Sequence, residues 1–202
     1  MRSRAAAQIL AGSGFKQVYN LKGGLNAWQG QEAAGPSTTG MILLKGDETP
    51  IDVIRLAYGL EEGLRKFYFD SSKLVIEPEV IGILAKLADI EVMHKQRLFN
   101  LYLNFDVNAR DMETFEIMIN SEFMEGGFNI DRFYEQSMQA FDTATGVLNF
   151  AMMLEAQSMD LYMRFSDKSE DPHVKEILFK IADEEKAHLN SLGELLEKIT
   201  SD

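Results

Sequence analysis

The chain contains only three histidines, and two of them stand three residues after a glutamate on the same helical face: His94 after Glu91, and His188 after Glu185. Side chains three apart on a helix share a face, so each pair could aim a carboxylate and an imidazole at one point. Oxygen and imidazole donors without sulfur suit iron or manganese, and redox chemistry is open to both metals. His173 stands beside Pro172 at a helix start, so Glu170 before it is off that helix and shares no face with it, and His173 reads as a surface residue.

The two pairs belong to an internal repeat. Laying 61–98 over 155–192, an offset of 94, gives 13 identities in 38 positions without a gap, among them Glu61/Glu155, Tyr68/Tyr162, Pro78/Pro172 and both Glu-x-x-His pairs. One helix-turn-helix unit is therefore used twice. Pro78 and Pro172 stand where the second helix of each unit should begin, because the first helical position needs no N–H. The expected helices run from Thr49 to Ser72, Pro78 to Leu103, Thr143 to Phe165 and Pro172 to Ile199, with short loops making two antiparallel hairpins. Residues 104–142 form a long crossover, broken at Gly126 and Gly127, with RDMETFEIMI and IDRFYEQSMQAF as short helices on either side.

The fold class expected is all-α, a four-helix bundle of two hairpins. Read at alternating spacings of three and four, each helix has an inward seam that is apolar except at mid-height, where it carries Glu61, Glu91, Glu155 or Glu185. His94 and His188 follow one turn later. An ionised carboxylate in an apolar interior is costly unless paired, and no lysine or arginine lies on these seams. The missing partner is then a bound cation: four carboxylates and two neutral imidazoles balance two divalent ions.

Composition narrows the alternatives. The 202 residues are 46% hydrophobic and 26% charged, as in a folded chain, and a net charge of −12 argues against a nucleic-acid partner. The absence of cysteine excludes disulfides, iron–sulfur centres, thiol nucleophiles and thiolate-bound iron. No apolar run is long enough to span a membrane, and the start lacks a secretory signal pattern, so a cytoplasmic setting is expected. Residues 1–46 carry five basic side chains and one acid, whereas the rest is strongly acidic; the Gly, Ser, Thr and Pro stretch at 30–40 reads as a linker. Two modules are expected, 1–40 and 47–200.

One glutamate on the first helix and Glu-x-x-His on the second, repeated in the second hairpin, resembles the ferritin-like di-iron carboxylate proteins. The Glu-x6-Tyr spacing makes it most similar to the rubrerythrin group, over about residues 47–200. The resemblance implies two iron ions, with manganese or zinc as substitutes, held by Glu61, Glu91, His94, Glu155, Glu185 and His188, the second and fifth as bridges. It implies that Tyr68 and Tyr162 hydrogen-bond to ligating carboxylates and take part in catalysis, with aromatic core filling as the plainer alternative. Asp89 and Asp183 could orient the histidines, or be solvated acids. Typical rubrerythrins carry a further glutamate three residues after the one on the third helix, where this chain has Ser158. They also carry a rubredoxin module, which a cysteine-free chain cannot supply.

The segment MRSRAAAQILAGSGFKQVYNLKGGLNAWQG resembles the C-terminal third of a rhodanese, a small α/β remnant whose persulfide-forming cysteine would fall before residue 1. No sulfurtransferase activity is expected of it. The activity implied is reduction of hydrogen peroxide or dioxygen with electrons from a separate donor protein. Ferroxidase activity, or a non-catalytic metal-binding module fused to a sulfurtransferase, are the alternatives. Homodimerisation is expected through Phe115, Met118, Phe123, Met124, Phe128, Phe133 and Met138 of the crossover, with packing onto their own bundle as the alternative.

Overall fold

A computed structural model of the chain describes residues 39–106, 108, 111–130, 133 and 138–200. The rhodanese-like segment expected at 1–40 lies outside these, apart from its last two residues. The described residues are mostly helical, with one two-stranded sheet. Helix α1 spans Pro50–Ser72 and α2 spans Pro78–Tyr102. A short α3, Met112–Glu116, opens the connection, followed by strands β1, Phe123–Met124, and β2, Phe128–Asn129. Helices α4, Ala144–Lys168, and α5, Pro172–Thr200, complete the chain.

Local chemistry sets these limits. Thr49 caps α1 reciprocally with Asp52, each side chain accepting from the other's backbone N–H, and Pro50 takes the first helical turn. Thr143 accepts from the Gly146 N–H at 3.0 Å and starts α4. Pro78 and Pro172 open α2 and α5, so all four long helices begin and end within three residues of the limits expected from the sequence. The expected crossover helix around 110–119 is present as α3. Half of the one expected at 130–141 lies outside the described residues, and Met138–Asp142 is a 3-10 turn.

Helix α1 packs along α2 and α4 along α5; the hairpins meet through α2 against α4 and α1 against α5. Every expected seam residue of α1 and α4 is buried, from Ile54 to Tyr68 and from Leu148 to Phe165. The apolar core is split into two clusters. Ile54, Leu98, Phe165 and Leu178 belong to one, and Leu64, Leu84, Leu148 and Leu192 to the other. In sequence these residues flank the seam glutamates on opposite sides, so a polar layer divides the apolar interior.

The connection contributes to the core as well. Phe115 and Met124 are buried, and Phe123, Phe128 and Phe133 are partly buried against it. Met118 is half exposed, and the Met138 side chain is outside the described set. No helix among the described residues is long and apolar enough to cross a membrane.

Candidate metal centre

The polar layer gathers the six residues singled out by the repeat. Glu61, Glu91, Glu155, Glu185 and His94 are each at most 4% exposed, and the His188 side chain is only slightly more open. His94 Nδ1 lies 2.8 Å from Glu91 Oε2 and 3.4 Å from Glu61 Oε2. The second half repeats this: His188 Nδ1 lies 3.1 Å from Glu185 Oε2 and 3.4 Å from Glu155 Oε2. Donors about 2.1 Å from a shared ion, at right angles around it, stand about 3 Å apart. The histidine–glutamate separations within each triad are close to that spacing, and all three donor atoms of each lie within 4.8 Å of one another.

Several donor atoms are sealed from water without partners. Glu61 Oε2, Glu155 Oε2 and Glu185 Oε1 are buried and accept no hydrogen bond. An orphaned carboxylate oxygen in an apolar layer is a large penalty, and here it recurs within one cluster. The buried Lys95 does not relieve it, being spent on Glu62 at 2.6 Å and Glu116 at 2.8 Å. An oxygen and imidazole donor set with vacant lone pairs fits a pair of hard or borderline divalent ions.

The charges record the same strain. Burial, then the neighbouring Glu61 carboxylate, pushes the Glu91 carboxyl far above the usual range. Burial followed by the charges of Glu125, Glu155 and Glu61 does the same to Glu185. Burial would raise Glu61 too, but the His94 imidazole close beside it outweighs burial and holds the carboxyl low. His94 is raised in return, desolvation being overcome by Glu61.

One member was invisible to sequence reasoning. Glu125, in the connection, is 1% exposed with Oε1 unpartnered. Its carboxylate joins a third triad with Glu61 and Glu185, whose donor atoms lie within 4.8 Å of one another. It lies outside the repeat and on no helical seam, so periodicity could not find it; the only sequence trace is an acid flanked by Met124 and the Gly126-Gly127 turn.

Other expectations sort differently. Tyr68 and Tyr162 are fully buried, their hydroxyls without hydrogen-bond partners, and burial followed by the surrounding glutamate charges raises both phenols. They lie in opposite core clusters, Tyr68 in one and Tyr162 in the other. Asp89 and Asp183 are exposed, as the solvated reading of these aspartates expects. His173 is exposed, as expected. Ser158 is fully buried with an unpartnered hydroxyl.

Access comes from the side of α2 and α5. A cavity of about 410 Å³ reaches Glu91, His94, Glu155 and His188, with Leu87, Ile90 and Leu192 on its walls and Lys86, Arg97 and Lys198 among its lining residues. The Rubrerythrin family model matches residues 146–202, which are α4 from its first turn and the whole of α5. Comparison with curated proteins and with solved structures gives no significant match.

Proposed function

We propose that the chain is a di-iron oxidoreductase of rubrerythrin type on a ferritin-like four-helix bundle, reducing hydrogen peroxide or dioxygen with electrons from a separate donor. The observation that carries this is the doubled Glu, Glu-x-x-His triad, buried and without a basic partner. The family match covers only the second triad, and the internal repeat extends its chemistry to the first. Two iron ions held there would supply Lewis acidity and two electrons per turnover.

The protein's own groups then have definite tasks. Glu61, Glu91 and His94 hold one side of the site, and Glu155, Glu185 and His188 the other. Leu87, Ile90 and Leu192 put apolar surface beside these side chains, which strengthens the charge interactions there. Tyr68 and Tyr162 present buried O–H donors with no other partner, available to carboxylates once these are anchored.

Oxidation of Fe(II) as a released substrate is the second reading. A homodimer is part of the proposal, with the exposed Ile117 and Met118 of the connection as its contact; sedimentation of Met118→Asp against wild type tests it. Stopped-flow oxidation of Fe(II)-loaded protein tests the reaction. Faster oxidation by peroxide than by air, stopping at two irons until reductant is added, supports the proposal. Many irons oxidised per site selects the ferroxidase, and no oxidation by either oxidant contradicts both.

A further inference from the structure

Glu125 belongs to neither repeat, yet it reaches the same interior. It is the first residue of the three-residue turn that joins β1 to β2, with Met124 paired to Phe128 behind it. Gly126 and Gly127 follow at φ of 71° and 76°, the left-handed region that glycine adopts without strain. A hairpin tip of this kind is compact enough to be pushed between helices.

Two close approaches show where it enters. A Cβ on Gly63 of α1 would stand 2.1 Å from the Phe123 carbonyl oxygen, and one on Gly126 would stand 2.9 Å from Gln157 Cβ of α4. Only a bare glycine at 63 lets β1 lie on α1, and only a bare glycine at 126 lets the tip lie on α4. Gly63 and Gln157 are equivalent positions of the repeat, since 157 − 63 = 94. The hairpin is therefore clasped at matching places of the two halves, and its carboxylate meets Glu61 of one half and Glu185 of the other.

A glutamate inserted there with a bare oxygen would be a defect in a purely structural turn. We infer that Glu125 is a seventh donor to the metal pair, carried in by the connection. This rests on the two-metal reading above. The six repeat-derived donors come three from each half, so a single extra carboxylate makes the two metal positions unequal. Ser158, three residues after Glu155 and on its face, is a small buried side chain that leaves room on the α4 side.

Anaerobic titration of the full chain with Co(II), whose visible absorption reports coordination number, tests the assignment. Wild type is expected to bind two ions. In Glu125→Gln one of them should bind about tenfold more weakly or worse, with a changed absorption. Glu125→Gln/Ser158→Glu, which returns a carboxylate from α4, is expected to recover it. Two ions bound to Glu125→Gln with unaltered affinity and spectrum would overturn the inference while leaving the two-metal reading intact. Failure of wild type to bind Co(II) would instead remove that reading. Should Glu125→Gln not fold, a crystal of Co(II)-loaded wild type decides: a Glu125 oxygen about 2.1 Å from an ion supports the assignment, and one beyond about 4 Å overturns it.

Discussion

The rings of His94 and His188 lie stacked, their centroids 3.8 Å apart and their planes 5° from parallel. The two imidazoles come from α2 and α5, the second helix of each repeat, and each turns Nδ1 toward the glutamate one helical turn before it. The repeat is thus a matter of side-chain geometry at the centre of the fold as well as of sequence. Two equivalent donor sets face each other.

Removing charge from this layer should act in opposite directions with and without metal. In Glu185→Gln the metal-free protein no longer holds a buried carboxylate against Glu125, Glu155 and Glu61. Its stability at pH 7.5 should rise by about 1–3 kcal/mol. With metal added the variant should gain less stability than wild type. Thermal melts with chelator and with Mn(II) check both signs; a variant less stable than wild type in chelator contradicts the charge argument.

Acid should unfold the protein in part through Glu62. Burial would raise this carboxyl, but Arg65 and Lys95 outweigh burial and bring it down to about 2. The folded value lies below the unfolded one, so the unfolded chain binds more protons and the contribution is present above about pH 4.5. It is lost as pH falls toward 2. Lys95→Met should cost about 2 kcal/mol at pH 7, because Glu62 and Glu116 lose a shared buried cation, and the cost should shrink below pH 4. Urea unfolding at pH 7 and pH 3.5 measures this, and an equal cost at both pH values would contradict it.

The helices were legible because their signals are local or periodic. Thr49, Pro78, Thr143 and Pro172 mark starts through capping and fixed φ, and the seam from Ile54 to Tyr68 is a 3.6-residue pattern that burial then obeys. The six donors were legible because the repeat placed them twice. Glu125 was not, since its burial follows from Gly63 letting the hairpin backbone lie on α1 and Gly126 letting the tip lie against the Gln157 side chain of α4, contacts between segments distant in sequence. The phenylalanines of the connection were ambiguous for a related reason: apolar content does not say which surface it will cover, and Phe115 is covered by Tyr58, Phe99 and Tyr102 of the same chain.

Gly63→Ala should therefore damage a site it does not touch. Its Cβ would meet a backbone carbonyl that has no rotamer with which to give way, so the hairpin must move. A loss of about 2 kcal/mol or more is expected, together with weaker metal binding. Gly82→Ala, where a Cβ meets nothing within 4 Å, is the control and should be neutral or stabilising. Equal melting temperatures for the two variants would contradict the clasp.

Tyr162→Phe should leave metal-free stability within about 1 kcal/mol, because the hydroxyl it removes has no partner. If the phenol donates to an anchored carboxylate, the same variant should slow oxidation of the Fe(II)-loaded protein about tenfold or more. An unchanged rate would assign Tyr162 to core filling alone.

The most direct measurement is the position and number of metal ions in crystals of the metal-loaded chain, located by anomalous scattering at the iron or manganese edge. Two ions per chain are expected, one near Glu61, Glu91 and His94 and the other near Glu155, Glu185 and His188, with donor oxygens and Nδ1 atoms about 2.1 Å away. A loaded crystal with ions only at surface carboxylates, and the six side chains arranged without them, would contradict the account.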